Sequence, residues 1–171
     1  IYNSIDFDES KFVPKDSALE KLPHLRGKQV ILTVARLVAA KGQDVVIRSF
    51  RILKEKHPDA VYIIVGEGIE KPSLEKLVGD LHLEDRTIFA GYVNDDQLEM
   101  YYGVCDLFVM AGRWTPNFVE GFGLVYIEAG IRGKAVIGTR VGGIPEAIVE
   151  GKTGFIIKPE DPEILANAIS I

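Results

Sequence analysis

The sequence predicts an α/β fold, a Rossmann-like parallel sheet of six strands with helices on both faces. From residue 29 onward, short apolar β-rich runs alternate with longer stretches of helical period, the pattern of strands joined by crossover helices. The strand-like runs carry almost no polar residue, as strands covered on both faces require. At 171 residues, 47% hydrophobic and 26% charged, the chain has the size and composition of one globular domain with a sizeable core.

Strands are predicted over residues 30–35, 61–65, 87–90, 107–110, 135–138 and 154–157. The helical period places helices over residues 43–56, 70–81, 95–102, 124–132, 144–149 and 162–171. Asp161-Pro162-Glu163 is a helix start, with Asp at the cap and Pro at the first helical position. Asn94-Asp95-Asp96 reads as a second one, its carboxylates favoured by the positive end of the helix rather than gathered for a metal. Residues 1–28, polar and containing Pro14 and Pro23, read as an incoming linker rather than a packed element. Residues 29–171 are then the folded domain. The chain opens at Ile1-Tyr2-Asn3 without Met and stops at Ile169-Ser170-Ile171 inside a helical pattern, so both ends are read as cut from a larger protein.

A net charge of −5 argues against a general nucleic-acid binder, which needs a basic face. It leaves room for an anionic small ligand held by a few cations. The single Cys105 has no partner for a disulfide or a zinc knuckle and reads as a small buried apolar residue. No apolar run approaches the length of a membrane span.

In open parallel sheets, ligands bind where the strands end, so the following loops are the candidates. After the first strand come Arg36 and Lys41, five residues apart, suited to a phosphate as a fork and a point charge. After the second, Gly66-Glu67-Gly68 lacks the third glycine of a dinucleotide fingerprint, and its glycines suit close approach of the backbone to a neighbour or ligand. After the fourth comes Glu120-Gly121-Phe122-Gly123-Leu124-Val125-Tyr126-Ile127-Glu128. Its glycines allow a tight turn into a helix whose first amides form a phosphate seat. Glu128 lies one turn into that helix, in apolar company, and is costly there unless it finds donors such as sugar hydroxyls. Glu120 stands at the lip of the same site. Gly142-Gly143-Ile144-Pro145-Glu146, after the fifth strand, permits close approach and starts the next helix.

Taken together, these residues resemble the retaining glycosyltransferase family 4, with its two-domain GT-B fold. The resemblance runs from about Asn3 to the end: Asn3-Ser4-Ile5-Asp6 and Phe12, Arg36 with Lys41-Gly42, Glu120 and Glu128 with seven residues between them, Gly142 to Glu146, and Thr153-Gly154. It implies the C-terminal, donor-binding half of such an enzyme. Arg36, Lys41 and Glu120 would be catalytic. The two cations would neutralise the donor diphosphate, and Glu120 would hold hydroxyls of the transferred sugar. Gly66, Gly121, Phe122, Gly123 and Leu124 would line the donor site, with backbone amides of the last three on phosphate and sugar. Glu128 would bind the ribose, and the backbone at Tyr92 and Val93 would meet the base.

The implied partners are a UDP-, GDP- or ADP-linked sugar, an unspecified acceptor and the enzyme's own N-terminal domain, which supplies the acceptor site and a catalytic histidine. No metal or other cofactor is implied. The expected location is cytoplasmic, with peripheral membrane attachment of the full-length protein left open. His24, His57 and His82 fall outside the candidate loops and read as surface residues. One departure from the family pattern is the long segment from Gly112 to Val119, which puts the presentation of Glu120 in question. Two other readings stay open: a nucleotide-sugar epimerase of similar fold, which would release nucleotide without an acceptor, and a non-catalytic nucleotide-binding domain.

Overall fold

A computed structural model of the chain describes residues 8–116 and 120–170; Asn3 to Asp6, Asn117 to Val119 and Ile171 lie outside the described residues. The six strands are β1 (Gln29–Val34), β2 (Ala60–Val65), β3 (Thr87–Gly91), β4 (Leu107–Val109), β5 (Ala135–Thr139) and β6 (Gly154–Ile157). They form one parallel sheet in the order β3-β2-β1-β4-β5-β6. The helices are α1 (Lys15–Lys21), α2 (Gln43–Leu53), α3 (Lys71–Asp80), α4 (Asp95–Val104), α5 (Leu124–Ile131), α6 (Ile144–Ala147) and α7 (Pro162–Ile169).

Alternation along each strand divides the core in two. Val30, Leu32, Val61, Ile63, Phe108 and Val136 face one side, under α1, α4, α5 and α6. Ile31, Tyr62, Ile64, Val109 and Ile137 face the other, under α2, α3 and α7. With both faces covered, a polar side chain inside must find a partner. The Thr33 hydroxyl lies 2.8 Å from the Tyr62 hydroxyl and donates to the Val109 carbonyl, linking β1 to both of its neighbours.

The helix starts read from the sequence are built as predicted. Asn94 Oδ1 accepts from the Gln97 amide at 2.9 Å while the Gln97 side chain accepts from the Asn94 amide at 3.1 Å, a complete capping box. Asp161 accepts from the amides of Glu163 and Ile164. Helix ends agree less well, and α2 stops at Leu53 rather than Lys56 because a Lys54–Lys56 turn leads directly to Pro58. Among the described residues, no helix is long and apolar enough to cross a membrane.

The expectation for residues 1–28 needs correction. Within them α1 packs against α4 and is part of the core, not a linker: Ala18 is fully buried, and Leu25 nearly so. The reason is a small-residue contact. A Cβ on Gly103 would lie 2.7 Å from the Val13 carbonyl and 2.9 Å from Ala18 Cβ, so glycine on α4 and alanine on α1 let the two segments meet. A polar helix whose apolar residues are only Ala18 and the adjacent Leu19 gives little periodic signal, which is why it escaped notice.

The sheet order puts the topological switch between β1 and β4. The chain runs outward from β1 through β2 and β3, then returns to the other side of β1, so the loops after β1 and β4 diverge and leave a crevice. Replacing Ala18 by Asp would bury a carboxylate with no partner in the α1–α4 contact. It should destabilise the fold by at least ~2 kcal/mol in a denaturant or thermal melt. An unchanged melt would mean that α1 is not docked in solution.

Candidate functional site

The two switch-point loops are tied together by backbone. After β1 a short 3-10 turn, Ala39–Lys41, ends at Gly42, whose φ of 68° is left-handed and whose α-carbon sits against the Ala111 carbonyl, where a Cβ would approach to 1.9 Å. The Arg113 amide donates to the Ala40 carbonyl at 2.9 Å. The Arg113 side chain turns inward to an ion pair with Asp44 on α2, and Thr139 of β5 donates to the Gly112 carbonyl.

At the far end of the same loop, the Gly143 amide donates to the Glu120 carbonyl at 3.0 Å. A Cβ on Gly143 would come within 1.9 Å of the Gly121 carbonyl. Of the long segment that put the presentation of Glu120 in question, the start at Gly112 and Arg113 is held by hydrogen bonds, as is Glu120 itself. The role of Gly143 is this close approach, one of the uses foreseen for that loop.

The result is a direct meeting of two predicted residues. Lys41 Nζ and the Glu120 carboxylate form an ion pair, each side chain only 13% exposed. The sequence assigned them to separate duties but could not show that they touch. Beside them lies a cavity of about 310 Å³ lined by Lys41, Glu120, Gly121, Phe122, Gly123, Leu124 and Val125. Gly123, with φ 76°, turns the chain into α5. Among the described residues, the amides of Phe122, Gly123, Leu124 and Val125 donate to no acceptor. Four donors at the positive end of a helix, next to a lysine, are an arrangement suited to an anion. Below them, Tyr126 is buried and its hydroxyl donates to the Met110 carbonyl at 2.6 Å. Burial, and secondarily the Glu120 charge, push its phenol well above the usual range, so it keeps its proton.

Arg36 stands apart from that pair. It is exposed, and its guanidinium has no partner among the described residues, while its carbonyl is held by buried Gln43 at 3.0 Å. Its backbone is thus fixed and its cation available. Gly66, expected to contact the donor, packs on the same loop as Arg36. A Cβ there would meet the Ala35 carbonyl at 2.1 Å, and the following Glu67 carbonyl accepts from the Leu37 amide at 2.9 Å. It braces the loop that carries Arg36. Tyr92 is 85% exposed beyond β3, and Val93 is partly packed on the core.

Glu128 is half-buried and faces α4, where it accepts a hydrogen bond from the Tyr102 hydroxyl at 2.9 Å. The donor it needed is thus partly a protein group. Tyr102 and Arg132, which donates to the Glu128 carbonyl at 2.7 Å, had not been singled out from the sequence. The i to i+4 spacing of Glu128 and Arg132 was a usable signal for one of them. Nothing local marks Tyr102, because its contact depends on how α4 and α5 pack.

A second cavity of about 340 Å³ lies between α2 and α3, with Arg48, Lys76, Arg113, Asp44, Glu70 and Asp80 among its lining residues, their charges balanced.

Comparison with known proteins shows the family and the fold. The family model described as glycosyl transferases group 1 matches residues 14–171. A GDP-mannose-dependent alpha-(1-6)-phosphatidylinositol monomannoside mannosyltransferase of Mycolicibacterium smegmatis is 31% identical over 95% of this chain and 44% of its own length. The mannosylfructose-phosphate synthase of Agrobacterium fabrum is 34% identical over 93% of this chain and 36% of its own. The chain therefore spans less than half the length of these curated relatives. Among solved structures, Anabaena HepE in complex with UDP and glucose superposes with a TM-score of 0.81 at 28% identity, over 96% of this chain and 44% of that one. The C-terminal domain of a group 1 family protein, LpcC of Francisella tularensis, superposes with a TM-score of 0.78 at 25% identity, over 96% and 86%.

Two glycines test the packing that shapes the site. Gly143→Ala keeps an ordinary backbone angle, φ −87°, but forces its Cβ into the Gly121 carbonyl. It should cost ~1–3 kcal/mol of stability, as overpacking does. Gly130, inside α5, has open space around its α-carbon. Gly130→Ala should stabilise by ~0.4–1 kcal/mol. Chemical denaturation of both variants reads the two signs, and a neutral Gly143→Ala would remove close approach as the device that places Glu120.

Proposed function

The chain belongs to the glycosyl transferases group 1 family, and we propose that it is the half of such an enzyme that holds a nucleotide diphosphate sugar for transfer with retention of configuration. Its fold is the Rossmann-like domain of GT-B glycosyltransferases. The observation that carries the proposal is the half-buried Lys41–Glu120 pair beside the open amides of α5. One cation and a row of donors face the same cavity as a carboxylate, which suits a substrate with a diphosphate at one end and hydroxyls at the other.

In this reading the diphosphate sits on the amides of Phe122 to Leu124, with Lys41 beside it and Arg36 swinging in from the exposed edge. When the sugar–phosphate bond breaks, negative charge grows on the departing diphosphate, and preorganised cations and amide dipoles stabilise it without a metal. Glu120 accepts hydrogen bonds from the transferred sugar. Its ion pair with Lys41 keeps both side chains extended toward the ligand before it arrives, which lowers the ordering cost of binding. Glu128 binds the ribose, and the backbone at Tyr92 and Val93 meets the base. The acceptor and the groups that exclude water come from an N-terminal domain. HepE bound to UDP and glucose and the GDP-mannose-dependent mannosyltransferase relative support a nucleotide-sugar partner. They name different nucleotides, so the base and the sugar are matters for measurement.

Calorimetric titration with UDP, GDP and ADP, and with the matching nucleosides and nucleotide sugars, separates the roles. Charge-assisted hydrogen bonds are worth roughly 1.5–3 kcal/mol each, so Lys41→Ala should weaken nucleoside diphosphate binding at least about tenfold and the nucleoside much less. Glu120→Gln should spare the bare nucleotide, or improve it by releasing Lys41, and weaken only the nucleotide sugar. Equal losses for nucleoside and diphosphate in Lys41→Ala would show that this loop does not touch phosphate. A chelator should leave all affinities unchanged, and a large loss would require a metal.

The 171-residue chain should bind nucleotide yet show no measurable glycosyl transfer, because the acceptor must be held in reactive geometry by the other half. Multiple-turnover transfer by this chain alone, assayed with a panel of nucleotide sugars and acceptors, would contradict the division of labour. Release of free sugar or epimer without any acceptor would favour the epimerase reading instead.

A further inference from the structure

Between α4 and α5 lies a polar cluster that the donor cavity does not include. The Tyr102 side chain is buried, and its hydroxyl donates to Glu128 Oε2 at 2.9 Å. Two neighbours hold its ring. Phe108 of β4 stacks with it at a centroid distance of 6.3 Å, and the Arg132 guanidinium lies 4.6 Å from its centroid. Arg132 is held in turn. Its Nε donates to Glu99 Oε2 at 2.9 Å, a second bond completes a fork on Glu99, and Nη1 donates to the Glu128 carbonyl at 2.7 Å. Phe12, in the segment that enters the domain, covers the guanidinium at 4.6 Å.

We infer that Tyr102 is a positioning residue for Glu128, which fixes the carboxylate so that it distinguishes ribose from deoxyribose nucleotides. The inference rests on the ribose assignment of Glu128 made above. A glutamate has three rotatable bonds and, half-exposed near a helix start, samples several arrangements. A hydroxyl that can donate one proton, mounted on a buried ring, selects one of them and ties down Oε2. The remaining acceptor capacity of the carboxylate is then directed, and Glu128 shares a face of α5 with Val125, three residues earlier and part of the cavity wall. Burial, and next the Glu128 charge, hold the Tyr102 phenol far above its ordinary range, so the donor is always protonated in working conditions. Arg132, braced by Glu99, keeps the ring and the helix backbone in register.

The test is a ratio. UDP, GDP and ADP, each with its 2′-deoxy and 3′-deoxy counterpart, are titrated into the native chain, Tyr102→Phe and Glu128→Gln. Tyr102→Phe keeps the ring and its stacking and removes only the donor. The native chain should prefer the ribonucleotide, and Glu128→Gln should erase most of that preference. Tyr102→Phe should reduce it by about three- to tenfold, the worth of one hydrogen bond. A purely structural role for Tyr102 would lower ribo and deoxy affinities equally and leave the ratio intact, and that result, or no change at all, overturns the inference while the Glu128 assignment stands. If the native chain shows no preference, or Glu128→Gln keeps it, the ribose assignment itself fails.

Discussion

The site depends on one contact, the half-buried ion pair between Lys41 and Glu120. Each residue comes from a different loop, one after β1 and one before α5, and the sheet order separates those loops at the switch between β1 and β4. Attraction between the two charges cannot by itself hold loops in place. Breaking one partner of a sheltered pair exposes the other to the full desolvation penalty, so the geometry must be secured independently. It is secured by backbone. Gly42 rests on the Ala111 carbonyl and Gly143 on the Gly121 carbonyl, at separations that no side chain would permit. Arg113 and Thr139 anchor the β4 loop where it begins. A cation and a carboxylate are thereby presented to one cavity already partnered, and a ligand that offers phosphate to one and hydroxyls to the other replaces an existing interaction instead of meeting bare charges.

The layered fold was legible in the sequence because its signals are local and repeated. Every predicted strand is present, β6 with its predicted ends, since a run such as Ala60 to Val65 is buried at each residue and has no polar face to confuse the reading. The caps at Asn94 and Asp161 were equally legible, because a cap is decided within four residues. Helix α1 was not. Its only fully buried residue is Ala18, and its reason for docking is Gly103, far along the chain. Two adjacent apolar residues, Ala18 and Leu19, leave no period to detect.

The sequence named residues that the fold brings to one cavity, but not their connections. Lys41, Glu120 and Gly121 to Leu124 line one cavity, and the motif that names them says which loops they occupy. It does not say that Lys41 and Glu120 pair, that Gly66 serves the loop of Arg36 by packing on Ala35, or that Tyr102 meets Glu128. Each of these is a contact between elements distant in sequence, fixed by the packing of helices on the sheet. The family resemblance transmits residue types at spacings, and the partners of those residues come only with the fold.

The most direct test of the account is an amide-resolved NMR titration of the chain with the nucleoside diphosphate it binds best. In the proposed function the amides at the start of α5, which donate to no acceptor among the described residues, and the neighbouring Lys41 loop form the anion seat. The largest shifts should fall on the amides of Gly121, Phe122, Gly123, Leu124 and Val125 and on Lys41 and Gly42. Shifts gathered instead on Arg48, Ser73, Lys76 and Arg113, around the cavity between α2 and α3, would contradict it.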